Sequence, residues 1–223
     1  SFATKITDVL KAKVAEAGLD KLGVEARGIH SLGLQAATKR FGRLDARHAK
    51  WVVPDICLSL MGKAGARIKD LKGPDLDTVW AVDSLVSLIK QTMTGSVSPS
   101  AVSISNEDVD ALCSRYDIDL DNCRSRVLDL LPQALMRCMT PEGGRITFDD
   151  MIWLPLIHDL PITKVDLQVV DESQDLNRMQ QELIYRAGNR IVFVGDRHQA
   201  IYGFAGADAE SMDRMRRTLG EDG

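Results

Sequence analysis

The chain contains no uninterrupted apolar run approaching the roughly eighteen residues of a membrane-spanning helix, and its N-terminus has no basic-then-apolar secretion pattern. An intracellular, cytoplasmic protein without a membrane partner is therefore expected. Its four cysteines, Cys57, Cys113, Cys123 and Cys138, form no Cys-x-x-Cys pair and have no histidines at zinc spacing. That pattern excludes a sulfur-held metal and predicts reduced, mostly buried thiols. A loop of the form Gly-x-x-x-x-Gly-Lys-Ser/Thr is also missing: Gly62-Lys63 is followed by Ala64, and Cys57 stands where the first glycine belongs. Only glycine lets backbone N–H groups wrap phosphates closely, so these 223 residues carry no such cradle. Net positive charge is lacking as well, at −4 overall.

The charge is unevenly spread. Residues 1–72 hold 14 Lys+Arg against 7 Asp+Glu, or +7, and residues 73–223 hold 14 against 25, or −11. A basic stripe attracts phosphate backbone whatever the total, although such a run also serves as an ordinary solvated face. With 44% apolar and 27% charged residues, the composition is that of a globular protein able to bury a substantial core.

The most informative stretch runs from Val165 to Ala207. Two short apolar runs, Leu167 to Val170 and Ile191 to Val194, end abruptly in Asp171-Glu172 and in Gly195-Asp196. Such runs are predicted to be strands buried on both faces of a parallel sheet. Between them Asn177 and Gln180 have the spacing of a capping box, opening a helix that aligns Met179, Leu183, Ile184 and Ala187 and stops at Gly188. Strand, helix and strand make a βαβ unit, whose ligands bind outside the carboxyl ends of the strands. Paired carboxylates there suit nucleotide chemistry: Asp171 is a candidate Mg²⁺ ligand, and Glu172 a candidate for orienting or deprotonating water. Read alone, such a pair is more often a solvated loop or a helix cap.

The whole stretch resembles the UvrD/Rep family of superfamily 1 DNA helicases. Asp171-Glu172-Ser173-Gln174-Asp175 with Asn177 and Gln180 looks like that family's Walker B motif, where alanine is more usual at the serine. Gly195-Asp196 through Gln199, Tyr202, Gly203, Phe204 and Ala207 looks like its third motif, with Ala205 in place of the usual arginine. By that resemblance Gln199 senses the γ-phosphate, while Tyr202 and Phe204 line the DNA path. In the family that arginine helps tie the third motif to the nucleotide site, a contact that the Ala205 methyl cannot make.

Earlier segments extend the resemblance. Phe2-Ala3-Thr4-Lys5 looks like motif Ia, where an aromatic at the Phe2 position contacts single-stranded DNA; the plain alternative is a strand end before an amphipathic helix bearing Ile6, Val9, Leu10 and Val14 and stopping at Gly18. Val24 to Ile29 is a strand candidate, followed by a helix with Ser31 as a possible N-cap. Ile29-His30-Ser31-Leu32-Gly33 looks like motif Ib, which puts His30 on the DNA path without chemistry of its own. Lys39, Arg40, Arg43, Arg47 and Lys50 form the densest basic run, with phosphate contacts as the functional reading.

From Phe41 to Gly144 the pattern is helical: Asp77 is read as capping a helix that ends at Gly95, Thr94 to Ser103 as a loop, Asn106 and Asp121 as opening two more helices, and Pro132 as interrupting the last. Thr147 and Asp150 have capping-box spacing, so Asp149 and Asp150 are read as stabilising a helix start rather than binding a second metal.

The resemblance implies an α/β fold, part of a RecA-like P-loop NTPase parallel sheet with an all-helical inserted subdomain. Residues 1–40 and 146–223 would belong to the motor domain and 41–145 to the insertion. It implies ATP and Mg²⁺ as cofactors, single-stranded or partly duplex DNA as a partner, and a phosphate loop upstream and a second RecA-like domain downstream in the remainder of a helicase chain. The rival class is a degenerate helicase-like module that binds DNA or protein without hydrolysing ATP.

Overall fold

The computed structural model describes residues 2–196 and 211–220. The fold is mixed α/β and mostly helical. Helix α1 (Phe2–Glu16) ends before Gly18, which takes a left-handed φ of 68°. Of the segment predicted as a strand from Val24 to Ile29, Val24 to Gly28 is irregular and Ile29 opens a helix, because no neighbouring strand offers a ladder among the described residues. Gly28, not Ser31, is the N-cap of α2 (Ile29–Phe41).

Helices α3 (Val52–Leu60), α4 (Pro74–Thr92), α5 (Asn106–Tyr116) and α6 (Arg124–Cys138) follow. Helix α4 starts at Pro74 rather than Asp77, proline at the first turn being already set for helical φ, and it ends at left-handed Met93 rather than at Gly95. The supposed loop after it is a hairpin of β1 (Ser96–Ser98) and β2 (Ala101–Ser103), Val97 opposite Val102. Ser105 caps α5 in a capping box with Asp108, and α6 opens after Cys123 rather than at Asp121. Pro132 sits inside α6 without ending it, because Leu131, Ala134 and Leu135 bury their side of the helix and outweigh the one backbone bond a proline forfeits.

Helix α7 (Asp150–Ile157) leads to β3 (Val165–Val170), α8 (Arg178–Ala187), β4 (Gly188–Phe193) and α9 (Ser211–Leu219). The capping box that opens α8 is formed, Gln180 N donating to Asn177 Oδ1 at 2.9 Å and Asn177 N to Gln180 Oε1 at 3.0 Å. Strands β3 and β4 pair in parallel, Val169 beside Val192 and Val170 beside Phe193. The main core lies among α3 to α8, with Trp153, Leu85, Ile89 and Leu131 fully enclosed. A smaller cluster of Leu176, Ile184 and Met215 covers one face of the sheet through Val170, Ile191 and Phe193.

Burial on both strand faces is not what the fold shows. Val165, Leu167, Val169, Val192 and Val194 stand exposed on the opposite face, because α8 and α9 supply cover on one side only. No described helix is long and apolar enough to cross a membrane. All four cysteines are free, and burial drives the Cys57 thiol up to about 12 and the Cys138 thiol up to about 11, so both are inert at neutral pH.

Candidate nucleotide edge and nucleic-acid face

The carboxyl end of β3 delivers Asp171 and Glu172 into solvent, both exposed. Glu172 adopts a left-handed φ of 51° and ψ of 40°, a conformation that costs a non-glycine residue on the order of 1 kcal/mol and persists only when its surroundings impose it. Three bonds do so. Glu172 N donates to Asp171 Oδ1 at 3.0 Å, Asp175 N donates to the Glu172 carbonyl at 3.1 Å, and Gln174 Nε2 donates to Glu172 Oε2 at 2.6 Å.

Gln174, almost fully buried, is the residue that joins the two strand exits. Its other amide atom, Oε1, accepts from Asp196 N at 3.1 Å, so one side chain holds both the carboxylate after β3 and the backbone after β4. Gly195 makes this approach possible: a Cβ there would lie 2.5 Å from Gln174 Oε1 and 2.6 Å from Ser173 Oγ. The backbone reinforces the junction, Ser173 N donating to the Val194 carbonyl at 2.9 Å and Val194 N to the Val170 carbonyl at 2.8 Å.

The donor set is two carboxylates and no nitrogen or sulfur, which suits a hard cation such as Mg²⁺. No group of three His, Cys, Asp or Glu side chains converges among the described residues, so a cation here would need waters and ligand oxygens to complete its shell. Glu172 is fixed in direction by Gln174 and open to solvent, as a residue that orients or accepts a proton from water must be. Gln199, Tyr202 and Phe204 lie outside the described residues, as does Ala205. Phe2 begins α1.

His30 stands in the first turn of α2, half-buried against α7. The crossing is close because Gly33 meets the backbone of Met151 and Ile152, where a Cβ would collide with the Met151 carbonyl. Desolvation holds the His30 imidazole below its ordinary pKa, and the Asp149 carboxylate pulls the other way, so the ring is neutral at physiological pH. Near it runs the basic series. Lys39, Arg40, Arg43, Arg47 and Lys50 are exposed, with Arg47 committed to Asp45 through a forked pair and Lys50 resting over the Trp51 ring at 4.9 Å.

Behind Asp149 lies a polar network that spacing alone does not reveal. The Thr147–Asp150 capping box is formed, Asp150 N donating to Thr147 Oγ1 at 3.1 Å and Thr147 N to Asp150 Oδ2 at 2.8 Å. Asp150 also accepts from Lys90 Nζ at 2.7 Å, both groups fully buried, and the ammonium lies 5.0 Å from the centre of the Trp153 ring. Burial opposes the charge on Lys90, but the adjoining Asp150 carboxylate overrides it and raises the ammonium above its ordinary range. Asp149 accepts from Ser87 Oγ at 2.6 Å and Gln91 Nε2 at 3.2 Å. The sequence signal for it was available in Ser87, Lys90 and Gln91 at helical spacing, but the partners lie about sixty residues on.

A family model described as UvrD/REP helicase N-terminal domain matches residues 1–220 of the chain. F-box DNA helicase protein 1 of Schizosaccharomyces pombe (strain 972 / ATCC 24843) is 52% identical over 48 residues, which is 21% of this chain and 6% of that protein. The match thus spans a small part of that relative's length.

Proposed function

The chain belongs to the UvrD/REP helicase family, and from that membership we propose that it forms part of the first RecA-like motor domain of an ATP-dependent DNA helicase or single-strand translocase. The observation that carries the proposal is the paired exit of parallel β3 and β4, where buried Gln174 ties the Glu172 carboxylate to the Asp196 amide. A group whose position depends on two strands at once responds when either exit moves, as a nucleotide sensor must.

In this reading Asp171 holds Mg²⁺, Glu172 orients and deprotonates the attacking water, and Gln199 senses the γ-phosphate. Bound Mg²⁺ would supply neutralisation of phosphate charge. Phe2, His30, Tyr202 and Phe204 lie along a path for single-stranded or partly duplex DNA, with Lys39, Arg40 and Arg43 on the phosphates. The neutral His30 ring serves there as a hydrogen-bonding group rather than as a charge. The phosphate loop and the second RecA-like domain are assigned to other parts of a longer polypeptide.

Residues 41–145, not all-helical as expected because they carry the β1–β2 hairpin, are read as a mostly helical subdomain inserted into the motor domain formed by 1–40 and 146–223. The support is that its two ends run side by side, Asp45 N donating to the Gly144 carbonyl at 2.8 Å and Ile146 N to the Asp45 carbonyl at 3.1 Å. An insertion whose ends meet leaves the host fold undisturbed.

The test is Glu172→Gln in the complete reading frame. It keeps size and polarity while removing the base, so nucleotide affinity should survive and DNA-stimulated turnover should fall by about 10² or more. Near-normal turnover would remove Glu172 from the role, whereas no turnover in the unsubstituted complete protein would favour the rival reading of a binding module without hydrolysis.

A further inference from the structure

Gln174 is 2% exposed, and an amide costs free energy to bury unless its polar atoms are bonded. Both ends are. Asp196 N can face only the amide oxygen and the Glu172 carboxylate only the amide nitrogen, so the side chain fits one way round. The two bonds do different things. Glu172 is exposed and water would satisfy its oxygens, so the 2.6 Å bond from a buried donor is not needed for solvation and instead fixes where the carboxylate points. The bond from Asp196 N fixes the amide in turn, and it reads the backbone of the other strand exit rather than a side chain. Gly195 keeps that contact tight, since a Cβ there would lie 2.5 Å from Gln174 Oε1. Strand pairing does not depend on this side chain, because the bonds of Ser173 N to the Val194 carbonyl and of Val194 N to the Val170 carbonyl close the junction without it.

We propose that Gln174 is a positioning residue through which the backbone at Asp196 sets the direction of Glu172, so that a shift of the segment after β4 reaches the group that handles water. The inference rests on the reading of Glu172 above and adds to it a means of regulating that site. The amide is planar and held at both ends, so a displacement of Asp196 N cannot be absorbed without turning or stretching the bond to Glu172. A misplacement of about 1 Å at a reacting group costs up to about 10²-fold in rate, which makes a small shift sufficient. Gln199, Tyr202 and Phe204 follow Asp196 within eight residues, so ligands held there would pull on the same stretch of backbone. Ala205 cannot supply an arginine tie from that stretch, which leaves the Gln174 amide and the strand backbone as the links that the described residues show.

The test uses the complete reading frame and two substitutions. Gln174→Met keeps the length of the side chain while removing the donor to Glu172 and the oxygen that Asp196 N meets. Gly195→Ala pushes that oxygen aside and leaves Gln174 in place. Each should lower the kcat of DNA-stimulated ATP turnover about 10-fold or more, with KM for ATP, single-strand affinity and melting temperature nearly unchanged. The double variant should be no slower than the slower single variant, because both break one link. Unchanged kcat in a folded Gln174→Met protein overturns the proposal, as do losses that multiply in the double variant. A fall in kcat matched by a fall in the folded fraction of both single variants makes Gln174 structural and overturns it as well. Glu172→Gln, measured beside them, keeps the two readings apart. If it retains turnover, the base assignment and this proposal fall together; if it alone loses turnover, Glu172 stands and Gln174 does not position it.

Discussion

At the level of single residues, burial sets what the titratable groups do. Asp83 lies partly buried on α4, and desolvation, reinforced by the nearby Asp149 carboxylate and only partly offset by Lys90, lifts its pKa from 3.8 to about 6. A raised carboxyl means that the folded state holds its proton where the unfolded chain has lost it, so Asp83 costs stability progressively as pH rises from about 4 to about 6 and the full cost remains above that. Asp83→Asn should accordingly be more stable than wild type at pH 7, with the gap closing below about pH 4. Urea unfolding at the two pH values measures this, and a variant less stable at pH 7 would show that the Asp83–Lys90 attraction outweighs desolvation. The residues of the candidate nucleotide edge were legible to different degrees. Asp171 and Glu172 announce themselves as carboxylates ending an apolar run. Gln174 does not, because its role depends on Asp196, twenty-two residues away, arriving at the same strand edge.

At the level of elements, local chemistry was legible and partnership was not. The boxes at Asn177–Gln180 and Thr147–Asp150 are fixed by spacing within one turn, and both formed. The Val24 to Ile29 strand failed for want of a partner, the β1–β2 hairpin was hidden in a serine-rich run, and Pro132 was overruled by the burial of its helix. The tie between α4 and α7 is the largest such omission. Ser87, Lys90 and Gln91 lie on one side of α4 and reach the first turn of α7, where Lys90 and Asp150 form an ion pair without solvent. Removing one member of a buried pair strands the other, at about 3–5 kcal/mol. Asp150→Ala should cost that much, plus a helix cap worth about 1 kcal/mol, while the double variant Lys90→Met with Asp150→Ala should regain most of the loss. Denaturant midpoints of the single and double variants decide the matter, since equal destabilisation of both would locate the cost in the cap alone.

Across the whole molecule, the sheet is the element whose chemistry is least satisfied. Val165, Leu167 and Val169 alternate along β3 with Asp166 and Gln168, and Val192 on β4 and Val194 just beyond it continue the apolar side, with Arg190 beside Leu167 as its one charged member. The more apolar face of the β3–β4 pair is thus the bare one, while the face bearing Gln168 is covered by the Leu176–Ile184–Met215 cluster. Parallel sheets are built to be covered on both sides, and contiguous exposed apolar surface of this kind drives association. The alternation was present in the sequence, but an apolar run ending in carboxylates reads as doubly buried until the neighbours are known. The 223-residue chain should therefore self-associate as its concentration rises. Val169→Thr with Val192→Thr, a cross-strand pair on the bare face, keeps β-branched shape while adding hydroxyls, so it should suppress association and leave the melting temperature nearly unchanged. Sedimentation velocity over a concentration series, with thermal melts of the same samples, tests both halves; association undiminished in the double variant would place the contact elsewhere, the exposed Val9 and Leu10 of α1 being the next surface to substitute.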